Sequence, residues 1–155
     1  MPKYQRRNTP AFTAASYFAL AAGILLYCIG IYNAEWELNV KGYYLLCMFL
    51  ILITSIVTQK VIRDNAEDRE LKNENPKHRY RNTPAFTGLA LAGLIIGFGM
   101  FFIGLFNAPF ELNVKGYYIA VMLLISYSSI GVQKVTRDNA EDKEIMENQN
   151  QNLNG

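Results

Sequence analysis

The chain has 155 residues, 51% of them apolar and 18% charged, with 15 basic and 13 acidic side chains for a formal net charge of +2. The apolar share sits at the upper edge of the globular range, and so small a net charge gives no reason to expect a nucleic-acid partner. Distribution says more than totals: no charged residue falls between Pro10 and Tyr32, Gly42 and Gln59, Pro84 and Phe106, or Gly116 and Gln133.

The N-terminal Lys3, Arg6 and Arg7 precede the first apolar run as in a signal peptide. The run has the length of a membrane span rather than of the usual h-region, so it is expected to stay as an anchor. Its start is marked by Asn8 or Thr9 as a cap and by Pro10, whose missing N–H has no partner to lose in a first helical turn. The same signal returns as Asn82, Thr83 and Pro84, because Arg7 to Glu70 realigns without a gap on Arg81 to Glu144. An internal repeat of this length, with two apolar windows in each copy, predicts two tandem membrane hairpins. The fold class is therefore an all-α membrane protein with four transmembrane helices. The alternative, a soluble four-helix bundle, needs a polar stripe on every helix, and Leu89 to Phe106 has none.

Residues 1–72 form the first repeat, with spans at about 10–32 and 42–59, and residues 81–146 the second, with spans at about 84–106 and 116–133. Between the two spans of a copy, the stretch from Asn33 to Gly42 is expected to be a loop, tight enough to pack its flanking helices antiparallel on each other. Asn33, Lys41, Gly42, Tyr43 and Tyr44 recur as Asn107, Lys115, Gly116, Tyr117 and Tyr118, and the hairpins 33–44 and 107–118 agree at ten of twelve positions. This candidate motif is either structural or a partner-binding surface. In the structural account the two glycines permit a backbone conformation closed to other residues, and the rings form an aromatic belt at the bilayer boundary. Glu37 with Lys41, and Glu111 with Lys115, are spaced to pair if the segment turns helically.

Within the spans, Gly23 and Gly30 recur as Gly97 and Gly104, and Gly93 makes a GxxxG pair with Gly97. Small residues let helices approach in lipid, where apolar side chains gain nothing by leaving hydrocarbon, so these five glycines are expected to serve helix packing. Cys28 and Cys47 are expected to be free thiols, since the second copy has Phe102 and Val121 in their places. No ionisable side chain lies inside a span, which removes the usual mark of an ion or proton pathway. The hydroxyls Thr54, Ser55, Thr58, Ser126, Tyr127, Ser128 and Ser129 are expected to satisfy helix backbone or bond to a neighbouring helix rather than line a pore.

Past the second and fourth spans, Gln59, Lys60, Arg63 and Asp64, matched by Gln133, Lys134, Arg137 and Asp138, form a candidate helix-end motif. Its i,i+4 charge spacing predicts a solvated helical extension, with anionic lipid headgroups as the competing reading. Residues 73–80 are expected to be a polar linker and 147–155 a disordered tail. His78, alone in the linker, has no Cys or carboxylate at a metal-ligand spacing.

Thirteen of the fifteen basic residues lie on the side of the termini and linker, which predicts both termini in the cytoplasm and both hairpins outside. Two crossings per copy also give the copies one orientation, as parallel repeats. No catalytic, cofactor-binding or metal-ligating set stands out. The expected partners are membrane lipids, with other membrane proteins or self-association beside them. The leading expectation for function is a non-enzymatic protein acting through lateral contacts; the alternative is a subunit of an oligomeric small-solute transporter or channel.

Asn33-Ala34, Leu38, Lys41 to Tyr44, Gln59-Lys60 and Arg63-Asp64, with their counterparts in the second copy, resemble the signature of the YiaA/YiaB family of bacterial inner-membrane proteins, built from a two-helix domain. The resemblance implies an inner-membrane location and a paired two-helix architecture, and no catalytic activity.

Overall fold

A computed structural model describes residues 6–154. Four helices follow in order: α1 over Pro10–Asn33, α2 over Leu38–Glu74, α3 over Pro84–Asn107 and α4 over Leu112–Asn154. All four are long and apolar enough to cross a membrane. The 24 residues of α1 and of α3 rise about 36 Å, which spans a hydrocarbon core of about 30 Å.

Local chemistry sets the ends. Thr9 and Thr83 are the caps, each hydroxyl accepting from the backbone N–H three residues on, Phe12 and Phe86, at 3.2 Å. Pro76 ends the continuous run of α2, and Asn75 folds the chain back by accepting from the Lys77 and His78 backbone N–H groups.

Three expectations about these elements change. The loop within each copy is short, 34–37 in the first, because α2 starts at Leu38 and the Lys41 N–H already bonds the Glu37 carbonyl at 3.0 Å. Gly42 and Gly116 are therefore helical; neither has a positive φ, and neither would meet an atom with an added Cβ. A glycine in the second turn of a helix costs some stability but does not break it. Third, α4 runs on through the tail expected to be disordered. Between Lys134 and Asn154 it meets neither Gly nor Pro, and its Glu, Lys, Met and Gln residues favour helix.

The largest departure concerns what packs on what. Within a copy, α1 touches α2 only slightly; α1 lies along α4, α3 along α2, and the parallel α2 and α4 meet in the middle. Hydrophobic side chains of all four helices fill the centre. Tyr44, Met48 and Ile51 face Tyr118, Met122 and Ile125, all at most 3% exposed. A short connection fixes direction, not contact, and here each hairpin opens to admit a helix of the other.

Candidate functional site

The five glycines sit where the copies interlock. A Cβ on Gly23 would come within 2.9 Å of Ile125 Cγ1, and on Gly97 within 3.0 Å of Ile51 Cγ1. An added Cβ would come within 2.9 Å of the Tyr117 ring at Gly30, 2.6 Å of the Tyr43 ring at Gly104 and 2.9 Å of Thr54 at Gly93. The glycines thus form a groove on each outer helix that takes side-chain knobs from the inner helix of the other copy. The sequence supplies the groove residues by their spacing but carries no mark of the partner helix.

At the hairpin end the two copies meet through rings. Trp36 stacks on Phe110, its counterpart, at 4.4 Å and 11°, and Tyr44 lies over Tyr118 at 6.3 Å and 22°. Tyr43 and Tyr117 donate across the interface to the Met100 and Leu26 carbonyls at 2.5 and 2.6 Å. Each carbonyl lies inside a helix whose glycine four residues on leaves room for the ring. Tyr44 and Tyr118 are thus buried interface residues and not members of a belt at the lipid boundary. Lys41 and Lys115 pair with no glutamate. Their ammonium groups donate to the Tyr32 and Phe106 carbonyls at 3.1 Å, at the ends of α1 and α3, where the helix dipole favours a cation. Asn33 and Asn107 are exposed at the same helix ends, and Asn107 bonds back to the Ile103 carbonyl. Beside the ring stack an open groove runs between Trp36, Tyr43, Gly104 and Phe110, with a matching one at Gly30, Trp36, Tyr117 and Tyr118.

At the terminal end the expectation of a solvated helix surface fails for the carboxylates. Asp64, Asp68, Asp138 and Asp142 are all buried. Each turn of acidic residues receives the Arg-Asn that opens the other copy. The Arg7 backbone N–H donates to Asp142 at 3.0 Å, and the Asn8 amide to Asp138 at 3.2 Å. In the same way Arg81 donates its backbone N–H to Asp68 at 2.7 Å and its Nε at 3.0 Å. His78 Nε2 lies 3.0 Å from the same carboxylate, so the linker histidine has a partner ten residues upstream that its sequence spacing hides. Backbone and side-chain donation from Arg81 and the bond to His78 hold the Asp68 carboxyl below its ordinary pKa. Burial alone raises Asp64 and Asp138, but Lys60 with Arg63, and Lys134 with Asn8, reverse the sign. Lys60 and Lys134 remain exposed and reach these aspartates at 2.9 and 3.0 Å. Glu67 gathers Arg81 at 2.8 Å and Arg137 at 2.6 Å, and both depress its pKa. Gln59 and Gln133 are half-buried at the same level, and Gln133 Oε1 is shielded with no bond.

Hydroxyls of the spans bond to helix backbone. Ser126, Ser128, Ser129 and Thr54 donate to carbonyls of their own helices, and Thr58 donates across to the Ala90 carbonyl at 3.1 Å. Cys28 and Cys47 are free. Among the described residues no group of His, Cys, Asp or Glu is placed to hold a metal ion.

Known proteins bear directly on this arrangement. The chain is 54% identical over 80 residues, 51% of its own length and 92% of the relative's, to an uncharacterized membrane protein YubF of Bacillus subtilis. It is 34% identical over 130 residues, 84% of its length and 82% of the relative's, to the inner membrane protein YiaA of Escherichia coli. No solved structure matches it. The yiaA/B two helix domain matches twice, at residues 12–64 and 86–138, each match running from the start of an outer helix to the first buried aspartate of the following one. The matches fall one on each of the two interlocked hairpins, and the chain belongs to the yiaA/B two helix domain family.

Proposed function

We propose that this protein is a non-enzymatic multi-pass protein of the bacterial inner membrane, with both termini cytoplasmic, that acts through lateral contacts with membrane proteins or lipids. The observation that carries the reading is the division of the surface. The centre is packed shut by Tyr44, Met48, Ile51 and their counterparts, whereas large apolar side chains such as Phe18, Leu46, Leu89, Ile95 and Tyr127 are between 69% and 80% exposed along the spans. A bundle with a closed interior and short loops offers a membrane partner its flank and little else. The basic residues clustered with the termini support the orientation, and the inner-membrane relative supports the compartment.

Purification in mild detergent, followed by mass measurement of the assembly with its retained proteins and lipids, tests the role. A defined partner or lipid supports it; a ring of copies with solute flux in liposomes replaces it with the transporter reading. Reporter fusions after Asn75 test the orientation and should read cytoplasmic; a periplasmic signal there overturns it.

A further inference from the structure

Most of the close contacts that join the two copies are made twice, by equivalent residues. Counterparts lie 74 positions apart, as Arg7 and Arg81 do. Gly23 receives Ile125 while Gly97 receives Ile51, and Gly30 receives Tyr117 while Gly104 receives Tyr43. The Tyr43 hydroxyl reaches the Met100 carbonyl while Tyr117 reaches Leu26, the counterpart of Met100. Arg7 docks on Asp142 while Arg81 docks on Asp68. Residues near the pseudo-two-fold axis meet their own counterparts, Trp36 on Phe110 and Tyr44 on Tyr118. In an isologous interface residue i meets j and j meets i, and a surface that does this can pair with a copy of itself.

One repeat therefore carries both the groove, at Gly23 and Gly30, and the knobs, at Ile51 and Tyr43. In the structure it does not bring them together internally, since α1 and α2 barely touch. A lone hairpin would leave the Arg7 N–H and the Asp68 carboxylate without these partners and the apolar groove filled only by lipid. The Bacillus relative sharpens the point: 80 matched residues are 92% of it, which leaves room for one repeat and not for a second.

We propose that each repeat is a self-complementary half whose occupant is another two-helix repeat. The protein is then a two-fold dimer joined by the 75–83 connection, and either half can pair in trans with the repeat of a second chain of this family. The connection raises the effective concentration of one half for the other and adds no groove or knob of its own. A few contacts break the symmetry: Arg137 bridges to Glu67 at 2.6 Å while its counterpart Arg63 stays on its own helix with Asp64 and Glu67, and Thr58 on the Ala90 carbonyl and Tyr17 on Thr136 have Val132 and Leu91 as counterparts, which carry no hydroxyl. Mixed pairs are accordingly favoured over like pairs, without excluding them.

The test starts from the intact chain. A protease site replaces Pro76 in the exposed connection, and the folded protein is cut in mild detergent. The halves should remain together at the mass of the uncut chain. The cut protein is then dissociated in SDS and returned to mild detergent, and native mass spectrometry counts the pairs. The expected result is three species, with pairs of residues 1–75 with themselves within about a few-fold of the mixed pairs. Gly23→Leu in the starting chain should remove these like pairs. Halves that separate on cutting, that return only as mixed pairs, or that return only as single hairpins each overturn the proposal.

Discussion

The two ends of the bundle join the same two repeats with opposite chemistry. At the hairpin end the join is made of rings, Trp36 on Phe110 and Tyr44 over Tyr118, and of tyrosine hydroxyls given to helix carbonyls. At the terminal end it is made of three buried aspartates, Asp68, Asp138 and Asp142, that receive arginine and asparagine donors of the other copy. The difference follows from what each end must exclude. Stacked rings need no charge and lose nothing beside lipid headgroups. Buried carboxylates are tolerable only where several donors meet them, and only outside the hydrocarbon. The clamp also uses backbone N–H groups, so it fixes where each outer helix starts relative to the other copy. At the hairpin end register is fixed instead by the Tyr43 and Tyr117 hydroxyls on the Met100 and Leu26 carbonyls.

Between the ends lies the glycine groove that both depend on, and changes there should have the largest effect. Gly97→Leu and Gly104→Leu drive a side chain into Ile51 or Tyr43 and should lose most folded protein in detergent. Overpacking of a tight site costs about 1–3 kcal/mol where the neighbours can yield, and a ring hydrogen-bonded to the opposite backbone has little freedom to do so. Normal thermal stability of both variants would show that the groove is not an interface.

Next comes the clamp. Asp142→Ala removes the acceptor of the Arg7 backbone N–H and leaves that donor without its carboxylate. A hydrogen bond to a charged group contributes about 1.5–3 kcal/mol, so the melting temperature should fall by roughly 5 °C, at about 2–4 °C per kcal/mol for a chain of this size. Like loss in Tyr118→Ala and Asp142→Ala under raised salt would erase the contrast between the ends; only the clamp should respond to screening.

Acid should separate the ends further. Asp64, Glu67, Asp68 and Asp138 all titrate below their ordinary values in the folded protein. A carboxyl with a depressed folded pKa contributes stability that is present above its unfolded value, about 3.9 for Asp and 4.3 for Glu, and lost as the pH falls through the folded pKa. Melting in detergent should thus hardly change from neutral to about pH 5 and drop below about pH 4. Asp68→Asn should flatten that drop, whereas Tyr43→Phe should not. An unchanged acid limb in Asp68→Asn assigns the effect elsewhere.

The hydroxyls at the hairpin end should matter less. Tyr43→Phe and Tyr117→Phe each lose one bond to a helix carbonyl, a kind of contact that averages about 0.6 kcal/mol in membrane proteins, and the two should add because they lie on opposite sides of the axis. Smallest of all are the motif residues that look most prominent in the sequence. Lys41→Met loses one bond to the end of α1, worth about 0.3–1 kcal/mol. Gly42→Ala sits in a helix with open space around it and should gain a few tenths to about 1 kcal/mol. A folded yield that falls with Gly42→Ala would restore the turn this glycine was expected to make.

The sequence by itself determined the repeat, the number of spans, the common orientation of the copies and the outer-helix starts at Thr9–Pro10 and Thr83–Pro84, because each of these follows from local composition, capping and period. It also pointed to the glycines, whose spacing alone puts them on one face. Only the tertiary structure decided which helix enters that groove. Ile51 and Ile125 are alike in sequence, and no local signal tells a glycine whether its isoleucine comes from its own copy or the other. The same holds for the acidic turn. Its i,i+4 charges suit a solvated helix equally well until Arg7, 135 positions before Asp142, and Arg81, 13 positions after Asp68, arrive to meet those carboxylates. Gly42 misled for a related reason: a glycine near a helix start reads as a turn, but the neighbouring backbone bonds were enough to carry the helix through it. A duplicated sequence specifies each half of a symmetric contact twice and leaves to packing the choice between closing on itself and crossing over; here the short 34–37 connection and the bulk at Tyr43 and Ile51 are accommodated by crossing over.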